Sequence, residues 1–249
     1  MNKILLSHGI VSCEVDSVEI LDNVINIASS GEYLVEYIDS GNYDIVFNIN
    51  GNVKIIESSF DNILNNNIKY NVLDGELTVI KFYNNFKVSE LVDVDLCSLG
   101  SKFNYYFSNI TRENEKYTIN INHKNKNTSS VISNKSIALK NSFLKFLINS
   151  NVGNDCNGSL LDQSTRIVTM GECDASISPN MFVDLDDVIA KHGSIIGSFK
   201  EEQIFYLMSK GIGYNDTLKL LIRGYLFSNL GQNNYFKDKI ESIIDMYWR

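Results

Sequence analysis

Short segments of alternating apolar and polar residues run through most of this chain, and they limit its fold more than any other feature. The alternation is clearest in four segments, residues 43–49, 52–56, 76–80 and 116–122. A period of two predicts β-strands with one buried face, so we expect many short strands from about Glu32 to Ile196. Gly51, Asp74-Gly75 and Gly100 fall between such segments and predict turns.

The fold class is predicted to be mainly β. Long helical patterns are missing between the strand segments, which argues against a parallel sheet built from βαβ units. A sandwich, a barrel and a β-solenoid all remain possible, because no strict repeat length is evident in the sequence. Asparagine is abundant throughout, as in the run from Asn65 to Asn67, and it suits tight corners.

Residues 198–249 have a different pattern, which predicts three short amphipathic helices. Ser198 and Glu201 have the spacing of a capping box, and Gly211 stands where the first helix would end. A second helix should end at Gly231, and a third apolar set extends the helical pattern to Arg249. Their apolar faces must be buried on the β core, on each other or on a partner.

Composition narrows the functional classes. The chain has 249 residues and a net charge of -8, which argues against a protein that follows a nucleic-acid backbone. The N-terminal apolar run is too short for a signal peptide, and no stretch is long enough for a membrane span, so we expect a soluble cytoplasmic protein. The four cysteines are widely spaced, which argues against a structural zinc site and for free thiols.

The boundary between strands and helices carries a resemblance to a known family. Residues 178–212 include His192-Gly193, a run of small residues ending at Gly197, and Phe205-Tyr206-Leu207 followed by Gly211-Ile212. This order is similar to the C-terminal core of the SufB/SufD family of iron–sulfur cluster assembly scaffold proteins. The segment from His123 to Ser130 resembles a second family block, and the two blocks together cover roughly residues 115–227.

The resemblance implies a fold and a role. The fold would be a right-handed parallel β-helix over residues 1–197, followed by a helical segment over residues 198–249 that docks a partner. The role would be that of a non-catalytic scaffold on which an iron–sulfur cluster is transiently built. The partners would be a SufC-type ABC ATPase and a second SufB/SufD-like chain. Family members usually carry a helical N-terminal region as well, so this chain resembles a short, N-terminally minimal member.

The same resemblance selects Cys173 and His192 as metal ligands. SufB-like members place a cysteine, a proline and a histidine in the order and with the gaps of Cys173, Pro179 and His192. A thiolate and an imidazole suit an iron–sulfur cluster, and in the family the site lies where two scaffolds meet. One cysteine and one histidine cannot supply four ligands, so two chains would have to contribute. Glu172 and His123 are possible auxiliary ligands.

Structural roles are the alternative for these residues. Cys173 could be a small buried apolar residue, and His192 could be a strand-end histidine bonded to the backbone. His123 could satisfy a turn by hydrogen bonding, and Glu172 could be an exposed turn carboxylate. Cys97 lies in an apolar run and should be in the core, whereas Cys156 lies in a polar turn and should be exposed.

The surface that would bind the ATPase is predicted to be the first C-terminal helix and its turn. The residues concerned are Phe205, Tyr206, Met208, Gly211 and Ile212. No phosphate-binding loop is present, so any ATP hydrolysis must come from another subunit.

An enzyme is the rival class. Asp184, Asp186 and Asp187 form an acidic cluster of the kind that β-helix enzymes acting on polysaccharides use. A solvated strand edge is the simpler reading of these three residues. A family-fold interaction module that has lost cluster assembly is the third alternative.

Overall fold

A computed structural model describes residues 2–13, 18–231 and 234–248. It contains seventeen strands and three C-terminal helices within those ranges. The strands are β1 (Asn2–Ser7), β2 (Ile10–Cys13), β3 (Val18–Leu21), β4 (Val24–Ile27), β5 (Gly31–Tyr37), β6 (Gly41–Asn50), β7 (Val53–Phe60), β8 (Ile63–Asp74), β9 (Glu76–Asn84), β10 (Lys87–Leu96), β11 (Lys102–Thr111), β12 (Asn114–His123), β13 (Ser129–Leu139), β14 (Phe143–Val152), β15 (Ser159–Met170), β16 (Asp174–Val183) and β17 (Val188–Gly197). The helices are α1 (Glu201–Ser209), α2 (Tyr214–Leu230) and α3 (Asn234–Tyr247).

The strands form a parallel β-solenoid, which confirms the β-helix that the family resemblance implied. From β4 onward, successive strands alternate between two sheets, so each coil contributes one strand to each sheet. The covered sheet, named for the helices packed on it, has the order β17-β15-β13-β11-β9-β7-β5-β1-β2. The bare sheet has the order β16-β14-β12-β10-β8-β6-β4-β3.

The core lies between the two sheets and consists of in-register ladders of apolar side chains. Ile45, Ile68 and Ile119, for example, all point inward from the bare sheet. Coil length varies: Gly31 pairs with Val53, 22 positions on, whereas Phe143 pairs with Asp174, 31 positions on. This variation is why the strand pattern carries no fixed repeat length.

Glycine turns stack on one another along one corner of the solenoid. Gly51, Gly75 and Gly100 all have positive φ, as predicted for turns. A Cβ atom on Gly75 would lie 2.6 Å from the backbone carbonyl of Gly51. Only glycine therefore fits at Gly75, because the neighbouring coil leaves no room for a side chain.

The N-terminal end differs from the expected start near Glu32, because strands begin at Asn2. β1 pairs with β2 and β3 pairs with β4 in antiparallel fashion, so each sheet ends in a short hairpin. β2 and β3 contain four residues each and form the outermost strands at this end.

The C-terminal helices divide into a docked pair and an exposed helix. α2 and α3 pack on the outer face of the covered sheet, where Phe82 and Ile110 meet Ile222 and Phe236. α1 has no buried residue. Its predicted capping box is wrong, since the helix begins at Glu201 and its N-cap, Lys200, makes no side-chain cap. Gly231 ends α2 as predicted, whereas Arg249 lies outside the described residues.

Asparagine forms ladders on the outer face of the bare sheet, rather than serving only at corners. Asn120 donates to Asp93 at 2.6 Å, Asn149 donates to Asn120 at 2.8 Å, and Asn180 donates to Asn149 at 2.8 Å. Each carboxamide thus bonds its in-register neighbour on the preceding coil. The abundance of asparagine is in part a consequence of this stacking.

A charged cluster lies inside the early coils. Lys81 Nζ contacts Glu57 at 2.8 Å and Glu90 at 2.6 Å, and all three side chains are buried. Tyr83 donates to both carboxylates, and Asn66 donates to Glu90 at 3.0 Å. Desolvation raises the pKa of Glu90, while the neighbouring Lys81 opposes that rise. The interior charges are therefore held by one another and by a shell of hydrogen bonds.

Glu115 is a second buried carboxyl, and the side chains that donate hydrogen bonds to it are neutral. Thr111 donates to it at 2.9 Å and Tyr117 at 3.0 Å, and Asn109 also donates to it. Its Oε1 atom is buried without a hydrogen-bond partner. Desolvation raises its pKa to about 7, because burial disfavours the charged form more than the donors favour it.

The contribution of Glu115 to stability should therefore fall as the pH rises through its titration. The folded carboxyl keeps its proton up to a pKa of about 7, whereas an unperturbed glutamate loses it near 4.5. That contribution should drop by about 3 kcal/mol between those pH values, while the buried His123, with a pKa of about 4, contributes a rise over much of the same range. In denaturant titrations Glu113→Gln, whose carboxyl is exposed, should keep the pH dependence of the wild type. Glu115→Gln should lose the falling contribution, so its free energy of unfolding should rise with pH relative to that of the wild type, and equal slopes in all three proteins would contradict the assignment.

Candidate functional site at the open end of the solenoid

The last coil leaves one end of the solenoid open. Within the described chain, β16 pairs only with β14 and β17 pairs only with β15, so both have a free edge. Several large apolar side chains on these two strands are exposed, and Ile195 is 60% exposed. A long edge of two strands with exposed apolar residues is a ready template for pairing with another chain.

Cys173 lies at the corner that leads into β16. It immediately precedes Asp174, which is in register with Phe143, so Cys173 lies above the buried Ser142. The thiol is half-buried and packs against the interior cluster beside Ala175 and Ile177. Burial, and then the charge of Asp174, raises the pKa of Cys173. In the single chain this thiol is held protonated, and an incoming metal ion would have to displace the proton.

His192 lies in the middle of β17 and is exposed. It is in register with Gln163 of β15, whose side chain points into the interior. Because in-register residues of a parallel sheet share a face, His192 also occupies an inward position. It is exposed because it belongs to the last coil.

Cys173 and His192 do not meet within one chain. Gln163 of the covered sheet donates a hydrogen bond to Ser150 of the bare sheet across the interior. On the next coil, His192 is in register with Gln163 and Met181 is in register with Ser150. His192 therefore faces Met181, which lies eight residues along the strand from Cys173. At 3.3 Å per residue this separation is roughly 26 Å. Among the residues described, no three His, Cys, Asp or Glu side chains converge to hold a metal ion.

Gln163 lies beside the candidate ligand His192 and was not identified from the sequence. Only 2% of it is exposed, and its amide nitrogen donates to Ser150 Oγ at 2.7 Å and to the Asn180 carbonyl at 3.4 Å. Its carbonyl oxygen is buried without a partner. The alternation of β15 could have placed it inward, but only the register places it beneath His192.

The two auxiliary candidates lie in different surroundings. Glu172 is exposed in the turn before Cys173, and its carbonyl accepts the Asn141 amide at 2.8 Å. His123 is buried, with Nδ1 2.7 Å from Thr128 Oγ1 and Nε2 2.9 Å from Ser130 Oγ. Burial lowers its pKa to about 4, so the ring is neutral and both nitrogens have hydrogen-bond partners.

Two further cysteines differ from one another in their burial. Cys156 was expected to be exposed, and this was wrong: it is 3% exposed and its thiol donates to the His123 carbonyl at 3.0 Å. Its polar neighbours in sequence, Asp155 and Asn157, point outward while the thiol turns inward. Cys97 was expected in the core, but it is only half-buried and lies just after β10.

The residues predicted to bind a partner are largely accessible. Phe205 is 75% exposed, and Tyr206, Met208 and Gly211 are also exposed, while Ile212 is half-buried. A groove of about 940 Å³ lies between α1 and the body of the protein, lined by residues that include Phe199, Ile204 and Trp248. α1 thus presents an aromatic and methionine surface of the composition found at interface centres.

The family can be stated from sequence comparison together with this fold. Residues 62–225 match the family described as SUF system FeS cluster assembly, SufBD core domain. The match covers more than half of the chain and runs from the turn before β8 into α2, so the chain belongs to the SufBD family.

Individual relatives match over shorter stretches. An iron-sulfur cluster assembly SufBD family protein of Mycobacterium leprae is 44% identical over 48 residues, 19% of this chain and 12% of that protein. The iron-sulfur cluster assembly protein SufD of Bacillus subtilis is 33% identical over 66 residues, 26% and 15% of the two chains. SufD of Escherichia coli is 30% identical over 69 residues, 28% and 16% of the two chains. Each alignment thus spans less than a fifth of the relative's length.

None of the helices in the described part of the chain combines the length and apolarity needed to cross a membrane.

Proposed function

We propose that this chain is a non-catalytic scaffold subunit on which an iron–sulfur cluster is assembled in the cytoplasm. Membership of the SufBD family supports a role in iron–sulfur cluster assembly. The observation that carries the finer proposal is the position of Cys173 and His192, because both lie on the last coil, at its open end. The cluster is the cargo of such a scaffold, and it would be held by ligands from two chains.

Pairing of two copies through β16 would complete the site. If the strands pair antiparallel with Ile177 on the two-fold axis, Cys173 of one copy lies opposite Met181 of the other. Met181 faces His192 across the interior, so Cys173 and His192 of the second copy would be separated by about the 10 Å between two packed sheets. Side chains and a bound cluster can span that gap. The exposed Phe182, Ile189 and Ile195 supply apolar surface along the same edges.

Anaerobic reconstitution with iron and sulfide tests this function. The wild type should develop visible charge-transfer absorbance, and Cys173→Ala should lose most of it, because the cluster loses a thiolate from each copy. Cys97→Ala is the matched control, since it removes another half-buried thiol away from the open end. The proposal fails if the wild type gains no absorbance, or if both variants reconstitute equally.

We further propose that α1 docks a SufC-type ABC ATPase, with Phe205, Tyr206, Met208, Gly211 and Ile212 as its contact residues. The helical segment over residues 198–249 would then be the docking segment of the scaffold. An exposed aromatic surface on a helix without buried residues supports this, because such a helix gains stability by packing against a partner.

Binding of a co-expressed SufC-type ATPase tests the docking surface. Phe205→Ala should weaken binding at least tenfold, which is the effect of truncating a central aromatic residue in an interface. Lys219→Ala, on α2, is the control, because its Nζ contacts Asp245 at 2.8 Å rather than the α1 surface. Equal binding by wild type and Phe205→Ala, measured by titration calorimetry, would contradict the assignment.

A further inference from the structure

We propose that Gln163 is a positioning residue for His192. Its side-chain carbonyl, which has no partner in this structure, would accept a hydrogen bond from the imidazole of an inward-turned His192, and this bond would determine which ring nitrogen is left free as a ligand. The inference rests on the proposed function only in taking His192 as a cluster ligand. The hydrogen bond itself can be tested without a cluster.

The orientation of the Gln163 amide is fixed by its surroundings. One of its two terminal atoms lies 3.4 Å from the carbonyl oxygen of Asn180 and 2.7 Å from Ser150 Oγ. A carbonyl oxygen can only accept, so the atom facing it must be the amide nitrogen. The remaining terminal atom is therefore an acceptor, and it is buried without a partner.

An orphaned acceptor of this kind calls for a donor, because a buried polar atom without a hydrogen bond costs free energy. His192 is the in-register neighbour of Gln163 on the next coil. In-register side chains do bond one another elsewhere in this solenoid: Asn134 donates to Thr165 at 2.9 Å and Asn149 to Asn120 at 2.8 Å. The spacing between coils therefore allows a direct hydrogen bond between Gln163 and an inward-turned imidazole.

The chemical consequence follows from the two nitrogens of a neutral imidazole. One carries the proton and the other carries the lone pair that binds a metal ion. An acceptor that holds the N–H fixes both the tautomer and the ring orientation, as carbonyl groups behind histidine ligands commonly do. Gln163 would thus turn the free nitrogen toward the open end, where a second chain would bring its ligands.

Nitrogen NMR of the histidine rings tests the proposal on the full chain. The protein has only three histidines, so its ring signals can be resolved after labelling. At a pH well above the ordinary imidazole pKa, wild-type His192 should populate mainly one tautomer. Gln163→Met keeps the side-chain length but removes the acceptor, and it should change the tautomer ratio of His192 about fivefold, the effect of one ordinary hydrogen bond.

Internal controls separate positioning from a general structural effect. Thr165→Val alters an equally buried polar residue two positions along β15, beneath Ser194 rather than His192, and should leave the ratio unchanged. The His123 signals report on the interior, because that ring bonds Thr128 and Ser130. The proposal is overturned if Gln163→Met leaves the tautomer ratio of His192 at its wild-type value while the His123 ring signals are also unchanged. The proposal is also overturned if His192 of the wild type has the same tautomer ratio as free imidazole.

The two proposals fail in different ways. Absence of cluster absorbance in the reconstituted wild type, with the tautomer of His192 still dependent on Gln163, would reject the assembly role and leave the hydrogen bond standing. If the cluster forms normally and the tautomer ratio of His192 is the same in wild type and Gln163→Met, only the positioning role is rejected.

Discussion

Replacing Lys81 with methionine should lower the free energy of unfolding by about 3 to 5 kcal/mol. The variant leaves Glu57 and Glu90 buried without the cation that lies 2.8 Å and 2.6 Å from them. Desolvation already raises the pKa of Glu90, and loss of Lys81 removes the main influence that opposes it. The loss measured by denaturant titration should therefore be smaller at acidic pH, where the carboxyls take up protons.

Two further variants define the origin of that effect. Lys54→Met breaks an exposed pair, in which the charged atoms of Lys54 and Glu32 are 3.3 Å apart, and should cost less than about 1 kcal/mol. Combining Lys81→Met with Glu57→Gln and Glu90→Gln should restore most of the lost stability, since no buried charge then remains unpaired. An equal loss for Lys81→Met and Lys54→Met would show that the cluster does not contribute as described.

Truncating Phe236 to alanine is expected to have the second large effect, a loss of about 3 to 5 kcal/mol. This ring is fully buried where α3 meets the covered sheet, with its centroid 6.2 Å from that of Phe82. The cavity would weaken the docking of α2 and α3, so their amides should exchange hydrogen faster than those of the solenoid. Hydrogen exchange combined with thermal unfolding measures both effects.

Phe205→Ala is the matched control, because it removes the same side chain from an exposed helical position. Its effect on unfolding should stay within about 0.5 kcal/mol. The pair of variants separates the two roles of the C-terminal segment, with Phe236 stabilising the fold and Phe205 available to a partner. Similar losses of stability in both variants would contradict this division.

The fold class could be predicted from the sequence because strand alternation is a local property. Segments such as residues 43–49 and 116–122 fall within β6 and β12. The solenoid itself could not be derived in this way, because coils that lengthen from 22 to 31 positions leave no repeat to detect. It was obtained from the resemblance of residues 178–212 to a known family.

The candidate site was only partly accessible to the same reasoning. The order of Cys173, Pro179 and His192 identified the last coil, but not that the thiol and the imidazole lie far apart in one chain. Gln163 could not be found, because its relation to His192 depends on the register between β15 and β17. Cys156 was misplaced since polar neighbours suggest exposure, whereas the turn directs its thiol toward a buried carbonyl.

The hairpins β1–β2 and β3–β4 bear on how many subunits can join. Their short antiparallel strands blunt the N-terminal edges of both sheets, while β16 and β17 at the other end are ten residues each. A solenoid with two equivalent ends could stack head to tail into an open fibre. With one blunt end, a pair formed through β16 as proposed above would leave only short strands at its outer ends, so further stacking would have no long edge to use.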